Sequence, residues 1–502
     1  MGDRTNSKII LSKNLSKQTF NLTISTPIDS NTNIKTLIDI NPYIFDQKIE
    51  CGNGKAIITG KLGVKVLFFD TDNITNTISD SVSFTETYAD SSINEDTFLN
   101  IFNTIITPNV LSTDGVLKIN FDITILPVAY LNFYLPQNLE GGNSLICKKN
   151  EITTNSISQI VNSNFDFVCN FETKHSVDKI LSVYNYFSPE NIIAQEGYAV
   201  IEGKILTSII FESINENNSI VKELVETTPL KQDVEISGLT KDCCFDFVYS
   251  IDKSREEIST ESDSGHTEIT LKNKICFSGA VLKDISIEVV DDIYSTENEI
   301  ETSIIKNVFT KKDEDITITE SINSEITLAD NEPAIDELIA NLNISPVVTN
   351  TYIKNNNICL EGIVSSNTVY IDENKETKHK TIEIPFIVDT KIPADNVNHS
   401  HASIHVIDSR IKVKRGTIIE LDYNLFIKLS VYETRQIETI NSFKIGKPVN
   451  NSKYDIQLFI ARPNETMWDL CKRIKISPNE IGKYNKNLPL IMQGGEKIII
   501  KR

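Results

Sequence analysis

Leu117-Lys118-Ile119-Asn120-Phe121-Asp122-Ile123-Thr124-Ile125 alternates apolar and polar side chains without a break. Alternation of period two buries one face of a strand and wets the other, as in antiparallel sheets. The pattern returns in Ile269-Thr270-Leu271 with Ile275-Cys276-Phe277, and again in Ile419-Glu420-Leu421-Asp422-Tyr423-Asn424-Leu425. The chain therefore reads as mainly β.

Upstream of each alternating stretch lies a second recurring element: Ile34-Lys-Thr-Leu37-Ile38, Val177-Asp-Lys-Ile180-Leu181 and Ile335-Asp-Glu-Leu338-Ile339. Apolar residues at i, i+3 and i+4 predict a short helix. Each is followed by an apolar run into a glycine, Gly60, Gly203 or Gly362, at offsets of 26, 26 and 27 from the first apolar residue. The run continues beyond the glycine each time, so the glycine is assigned a bulge or bend within a strand. The expected organisation is three tandem antiparallel β-rich repeats with one short helix each, at 17–140, 158–296 and 314–440. A tail (1–16) precedes them, and the connectors Ser295 to Glu301 and Lys311 to Asp315 read as polar.

A turn-rich linker is expected at 441–452. Beyond it, Ile456-Gln-Leu458-Phe-Ile460 alternates as a strand, and Asn464 or Thr466 caps a helix through Trp468, Leu470, Cys471 and Ile474. Ser477-Pro478-Asn479-Glu480 has the N-cap, first-turn proline and third-position glutamate of a second helix. Ile498-Ile499-Ile500 closes as a strand, so residues 453–502 read as a small α+β unit ordered βααβ.

Of 502 residues, 49 are Lys or Arg and 69 Asp or Glu, a net charge of −20. That balance excludes sequence-independent nucleic-acid binding, which depends on cationic contacts to phosphate. The acidity is uneven: residues 451–502 carry +5, leaving −25 on the rest. No apolar run approaches the roughly 18–20 residues of a membrane span, and the first residues show no apolar export signal, so a cytoplasmic protein without membrane insertion is expected. Eight scattered cysteines with no CxxC read as free thiols in a reducing compartment. Only the vicinal pair Cys243-Cys244 suggests redox chemistry, and no activating base lies nearby.

The final segment resembles a LysM module over its whole length. Asn464-Glu465-Thr466-Met467 stands in its turn, Ile481-x-x-x-Asn485 in its second helix and Gly495-Glu496-Lys497-Ile498-Ile499-Ile500 in its closing strand. The turn departs from the usual Gly-Asp-Thr, and one glycine is extra beside Gly494 or Gly495. Because glycan-binding modules grip N-acetyl sugars there, the departures count against sugar binding. The binding residues carried over on the turn, helix and loop are Asn464, Glu465, Thr466, Trp468, Asp469, Lys472, Arg473, Asn485, Leu490 and Ile491.

The three glycine-centred units are similar to the SPOCS domain of endospore-forming bacteria, with Pro385-Phe386 matching its mid-domain element. Tandem SPOCS units before one LysM module are the architecture of SipL-type coat morphogenetic proteins, functional counterparts of the encasement protein SpoVID. The resemblance implies a non-enzymatic scaffold at the forespore surface of the mother cell. Its implied partner is the coat basement-layer ATPase SpoIVA, bound through the LysM module, with self-association through the repeats. The rival expectation is a peptidoglycan- or cortex-binding protein with oligomerising repeats.

Other chemistry finds little support in the sequence. His399-Ser-His401-Ala-Ser-Ile-His405 would align three imidazoles on one strand face, yet it reads first as a half-buried strand with a solvated side, and no metal or cofactor is expected. Asp291-Asp292 and Asp313-Glu314-Asp315 read as solvated connectors. No P-loop, GxSxG, HExxH or GxGxxG motif occurs, and no catalytic residue is assigned. Trp468 reads as a helix-one residue packed into a small core or as an exposed aromatic anchor of a protein interface, and the basic patch around it as steering an acidic partner or as held against the protein's own acidic repeats. Around it Arg462, Lys472, Arg473, Lys475, Lys483 and Lys486 form an expected basic surface.

Overall fold

The computed structural model describes residues 6–27, 34–72, 74–113, 115–136, 144–215, 218–253, 257–263, 266–393, 397–449, 456–485 and 488–501. It is mainly β, about 80% strand, in several antiparallel sheets with two short helices near the C-terminus. In chain order the first group is β1 (Asn6–Asn14), β2 (Gln18–Pro27), β3 (Ile34–Gly52), β4 (Lys55–Asp70), β5 (Thr75–Ala89), β6 (Phe98–Ser112) and β7 (Val116–Pro136). Here β3-β4-β5 form one sheet, while β7 pairs β1 and β2 along one edge and β6 on the other.

The second group is β8 (Leu145–Thr173), β9 (Lys179–Ala194), β10 (Tyr198–Asn215), β11 (Asn218–Glu235), β12 (Cys243–Ile251), β13 (Glu257–Asp263) and β14 (His266–Ser295). Its sheets are β9-β10-β11, and β14 flanked by β8 and by β12 with β13. The third is β15 (Asn298–Thr327), β16 (Ile335–Lys354), β17 (Asn357–Asp372), β18 (Thr377–Pro393), β19 (Val397–Lys414) and β20 (Ile418–Pro448), in sheets β16-β17-β18 and β15-β20-β19. Within each group the two sheets share one apolar core, around Phe121, Phe277 and Tyr423 respectively. Last come β21 (Ile456–Ile460), α1 (Met467–Ile474), α2 (Pro478–Tyr484) and β22 (Lys497–Lys501).

None of the three short helices forms. Ile34 to Ile38 and Ile335 to Ile339 lie in β3 and β16, and Ile180-Leu181 in β9. The apolar pair at i+3 and i+4 is instead a β-bulge. Register slips between Leu37 and Asp39, between Leu338 and Ala340, and opposite Ile210/Phe211 leave Ile38, Ile339 and Leu181 as the extra residues. A bulge turns two successive side chains to different environments. Leu37, Ile180 and Leu338 pack into their own cores, whereas Ile38, Leu181 and Ile339 meet in one cluster common to all three groups. Helical spacing was thus produced by strands buried on both faces.

The three glycines have the expected strand role. Each sits at a register slip, and a Cβ on Gly60 would stand 2.9 Å from the Phe84 ring. At Gly203 and Gly362 it would strike the Ser188 and Val347 carbonyl oxygens.

Two polar knots bind the groups together. Asp39 of β3 accepts from the Tyr184 hydroxyl of β9 (2.7 Å) and the Asn367 amide of β17 (2.6 Å). Lys312 of β15 donates to Asp246 (2.6 Å) and the Phe245 carbonyl (2.7 Å) of β12, and Asp246 also receives the Tyr130 hydroxyl of β7 (2.8 Å). Asp315 lies 2.7 Å from the same ammonium and 3.0 Å from that of Lys428. Burial would lower the Lys312 pKa, but Asp246 and Asp315 override it and hold the amine charged.

Strands run across several of the expected unit limits. Residues 6–14 of the supposed tail pair with β7, Lys311 to Asp315 lies inside β15 with Lys312 buried, and the linker from 441 continues β20 to Pro448. β8 begins at Leu145 and β15 at Asn298, ahead of the expected 158 and 314. Residues 1–5 and 450–455 lie outside the described residues. His401 is buried between Phe102 and Tyr432 rather than solvated, and burial lowers its pKa and that of His405 to about 4. The His399 side chain lies outside the described residues. Burial pushes the Cys244 thiol up to about 11.

Candidate docking surface of the C-terminal unit

Residues 456–501 fold in the expected order of strand, helix, helix, strand. Thr466 is the N-cap of α1: its hydroxyl accepts from the Asp469 amide, and the Asp469 carboxylate accepts from the Thr466 amide, closing a capping box. Ser477 caps α2 with Pro478 in the first turn. Asn464 has φ +58°, a left-handed conformation that asparagine tolerates. Gly494 and Gly495 also have positive φ, at +99° and +96°. A Cβ on Gly494 would lie 2.7 Å from the Pro463 ring.

The turn and the later loop are brought together. Asn464 N–H donates to the Met492 carbonyl (2.9 Å), Met492 N–H to the Glu465 carbonyl (2.8 Å), and Met467 N–H to the Leu490 carbonyl (3.3 Å). Most polar side chains assigned to binding are engaged internally. Glu465 is buried and takes both Arg473 Nε (2.6 Å) and Nη2 (2.9 Å), which hold its carboxyl below the usual range. Asn485 bonds the Ile499 amide and carbonyl at 2.8 and 2.7 Å, pinning α2 to β22. Leu490 and Ile491 remain, 86% and 59% exposed.

Trp468 and Lys472 face elsewhere. The indole N–H donates to Asp292 of β14 at 2.7 Å, and the Lys472 ammonium reaches both oxygens of that carboxylate at 2.6 and 2.8 Å. The Tyr294 hydroxyl donates to the Ile476 carbonyl at 2.7 Å, with its ring edge-on to the indole. Desolvation raises the Asp292 pKa, but these donors more than offset it, leaving the carboxyl below its ordinary value. Trp468 is half-buried: it packs against the unit's own core, as the packed-core reading expected, and its indole edge reaches the acidic body at Asp292.

Half of the expected basic surface is therefore engaged with carboxylates of the chain itself. Lys472 pairs with Asp292, Arg473 with Glu465 and Lys475 with Glu299 (3.3 Å). Lys486 lies outside the described residues. Asp292 and Tyr294 were missed as contact residues because an Asp-Asp pair reads as a solvated connector. The available signal was Val289-Val290 and Ile293-Tyr294 around it, apolar pairs that mark a strand with two covered faces.

No family model matches the chain, and no curated protein is significantly similar to it.

Proposed function

We propose that this chain is a non-enzymatic scaffold and adaptor whose C-terminal unit captures a protein partner. The observation carrying this reading is the division of labour on that unit. Sugar recognition needs unspent donors and acceptors, but Glu465, Thr466, Asp469, Arg473 and Asn485 are spent on the unit's own geometry. Leu490 and Ile491 project beside the turn instead, and exposed aliphatic side chains at a loop rim suit an apolar protein contact.

The body supports the same reading. The sheet orders β3-β4-β5, β9-β10-β11 and β16-β17-β18 occur in chain-equivalent places, each with a glycine at a register slip. We read them as three copies of one β unit resembling SPOCS, fused through polar knots into a platform that holds the C-terminal unit at Asp292 and Tyr294. With the LysM resemblance, this favours a spore-coat adaptor at the forespore surface whose partner is the SpoIVA-type basement-layer ATPase. The test is a pull-down of that ATPase by the full chain and by one lacking 453–502. Capture that depends on 453–502 supports the reading; capture that survives the deletion removes the role given to the C-terminal unit.

A further inference from the structure

The outward face of the β21–β22 hairpin is apolar. Ile456, Leu458 and Ile460 are 66%, 58% and 60% exposed, and Ile499 stands directly across from Leu458. Lys501 and Lys497 face Ile456 and Ile460, so both ends of the strip are cationic. The opposite face carries Phe459, Ile498 and Ile500 into the unit's core. The α1 flank is already occupied by Asp292 and Tyr294, and among the described residues nothing covers this apolar strip.

A surface of matching chemistry exists on the same chain. Ile387 of β18, at 67%, is the most exposed large aliphatic side chain among the described residues before 450. It stands directly across from Glu361 of β17, with Asp389 and Glu383 also exposed on its own strand. An apolar centre bordered by carboxylates complements an apolar centre bordered by lysines. Like charges disfavour strip against strip and acidic patch against acidic patch. Both surfaces are open in one chain whose C-terminal unit is clamped at Asp292, so the contact belongs between chains.

We propose that the β21–β22 strip of one copy docks on the Ile387 patch of β17–β18 of a second copy, joining copies head to tail. Such a contact uses two different surfaces, so each copy added presents a new site, and growth ends only where the rotation between copies closes the assembly into a ring. The inference rests on the scaffold reading and supplies its self-association surface.

Sedimentation velocity on the purified full chain tests it without any partner. The average mass is expected to rise steadily with concentration, and to fall back as the screening length shrinks from about 10 Å at 0.1 M salt to about 3 Å at 1 M. Leu458→Glu and Ile387→Lys should each remain monomeric alone. Mixed in equal amounts they should form a pair, because each retains the surface the other has lost. That pairing also shows that both variants are folded. Carbodiimide coupling of wild type should join Lys497 or Lys501 to Glu361, Glu383 or Asp389 of another copy.

A monomeric wild type, or a variant mixture that stays monomeric while wild type assembles, would overturn the inference. If a monomeric wild type still captures the ATPase through residues 453–502, the head-to-tail contact fails and the adaptor reading stands.

Discussion

Trp468 donates its indole N–H to the Asp292 carboxylate across 176 residues of sequence, at 2.7 Å. Trp468 is the only tryptophan in the chain, so tryptophan fluorescence reports the surroundings of this one indole. Asp292→Ala should shift the emission to longer wavelength and raise quenching by acrylamide, at a cost of about 1.5–3 kcal/mol for a bond to a charged group. Asp291→Ala, one residue away, should leave the spectrum unchanged. Unaltered emission in Asp292→Ala would mean that the C-terminal unit is held by other contacts.

Lys312 is buried between two carboxylates. Lys312→Met leaves Asp246 and Asp315 without their shared cation, and removing one partner of a buried ion pair costs about 3–5 kcal/mol. Urea denaturation should show that loss, with part of it recovered when Asp246→Asn is added. A loss below about 1 kcal/mol would place the knot among weak surface pairs.

Gly362 lies under the Phe386 ring and against the Val347 carbonyl. Gly362→Ala should destabilise by about 1–3 kcal/mol, the usual cost of overpacking. In α2, Gly482 has open space where a Cβ would be, and Gly482→Ala should stabilise by about 0.5–1 kcal/mol. Thermal melts of the two variants should therefore move in opposite directions.

Glu223 of β11 is raised by burial from 4.5 to about 7, against the opposing bonds from Ser208 and the Asn341 amide. Between those values the folded chain keeps a proton that the unfolded chain has released. Stability from this group should therefore decline as pH rises from about 4.5 to about 7 and level off above it, by at most about 3 kcal/mol. Glu223→Gln should remove that decline from a stability-against-pH series. A series unchanged by the substitution would show that the site accommodates the charge.

The strands and the C-terminal order of elements were legible because period-two alternation and capping residues are local signals. The Ile34, Val177 and Ile335 segments were misread for a physical reason. A bulged strand covered on both faces places apolar residues at the same spacing as one helix face, and only knowledge of the shared Ile38–Leu181–Ile339 cluster separates the two. Lys312, Asp315 and Asp292 were misread likewise: a charge reads as solvated until its partner, distant in sequence, is known. Asn464 shows the converse: asparagine between Pro463 and Glu465 is a local turn signal, and its left-handed φ is the conformation such a residue tolerates.

The most direct test of the adaptor account is fluorescence localisation in a sporulating cell, comparing the full chain with one lacking 453–502. The account predicts a ring around the forespore for the full chain and diffuse mother-cell signal for the truncation. A ring that persists without those residues would contradict it.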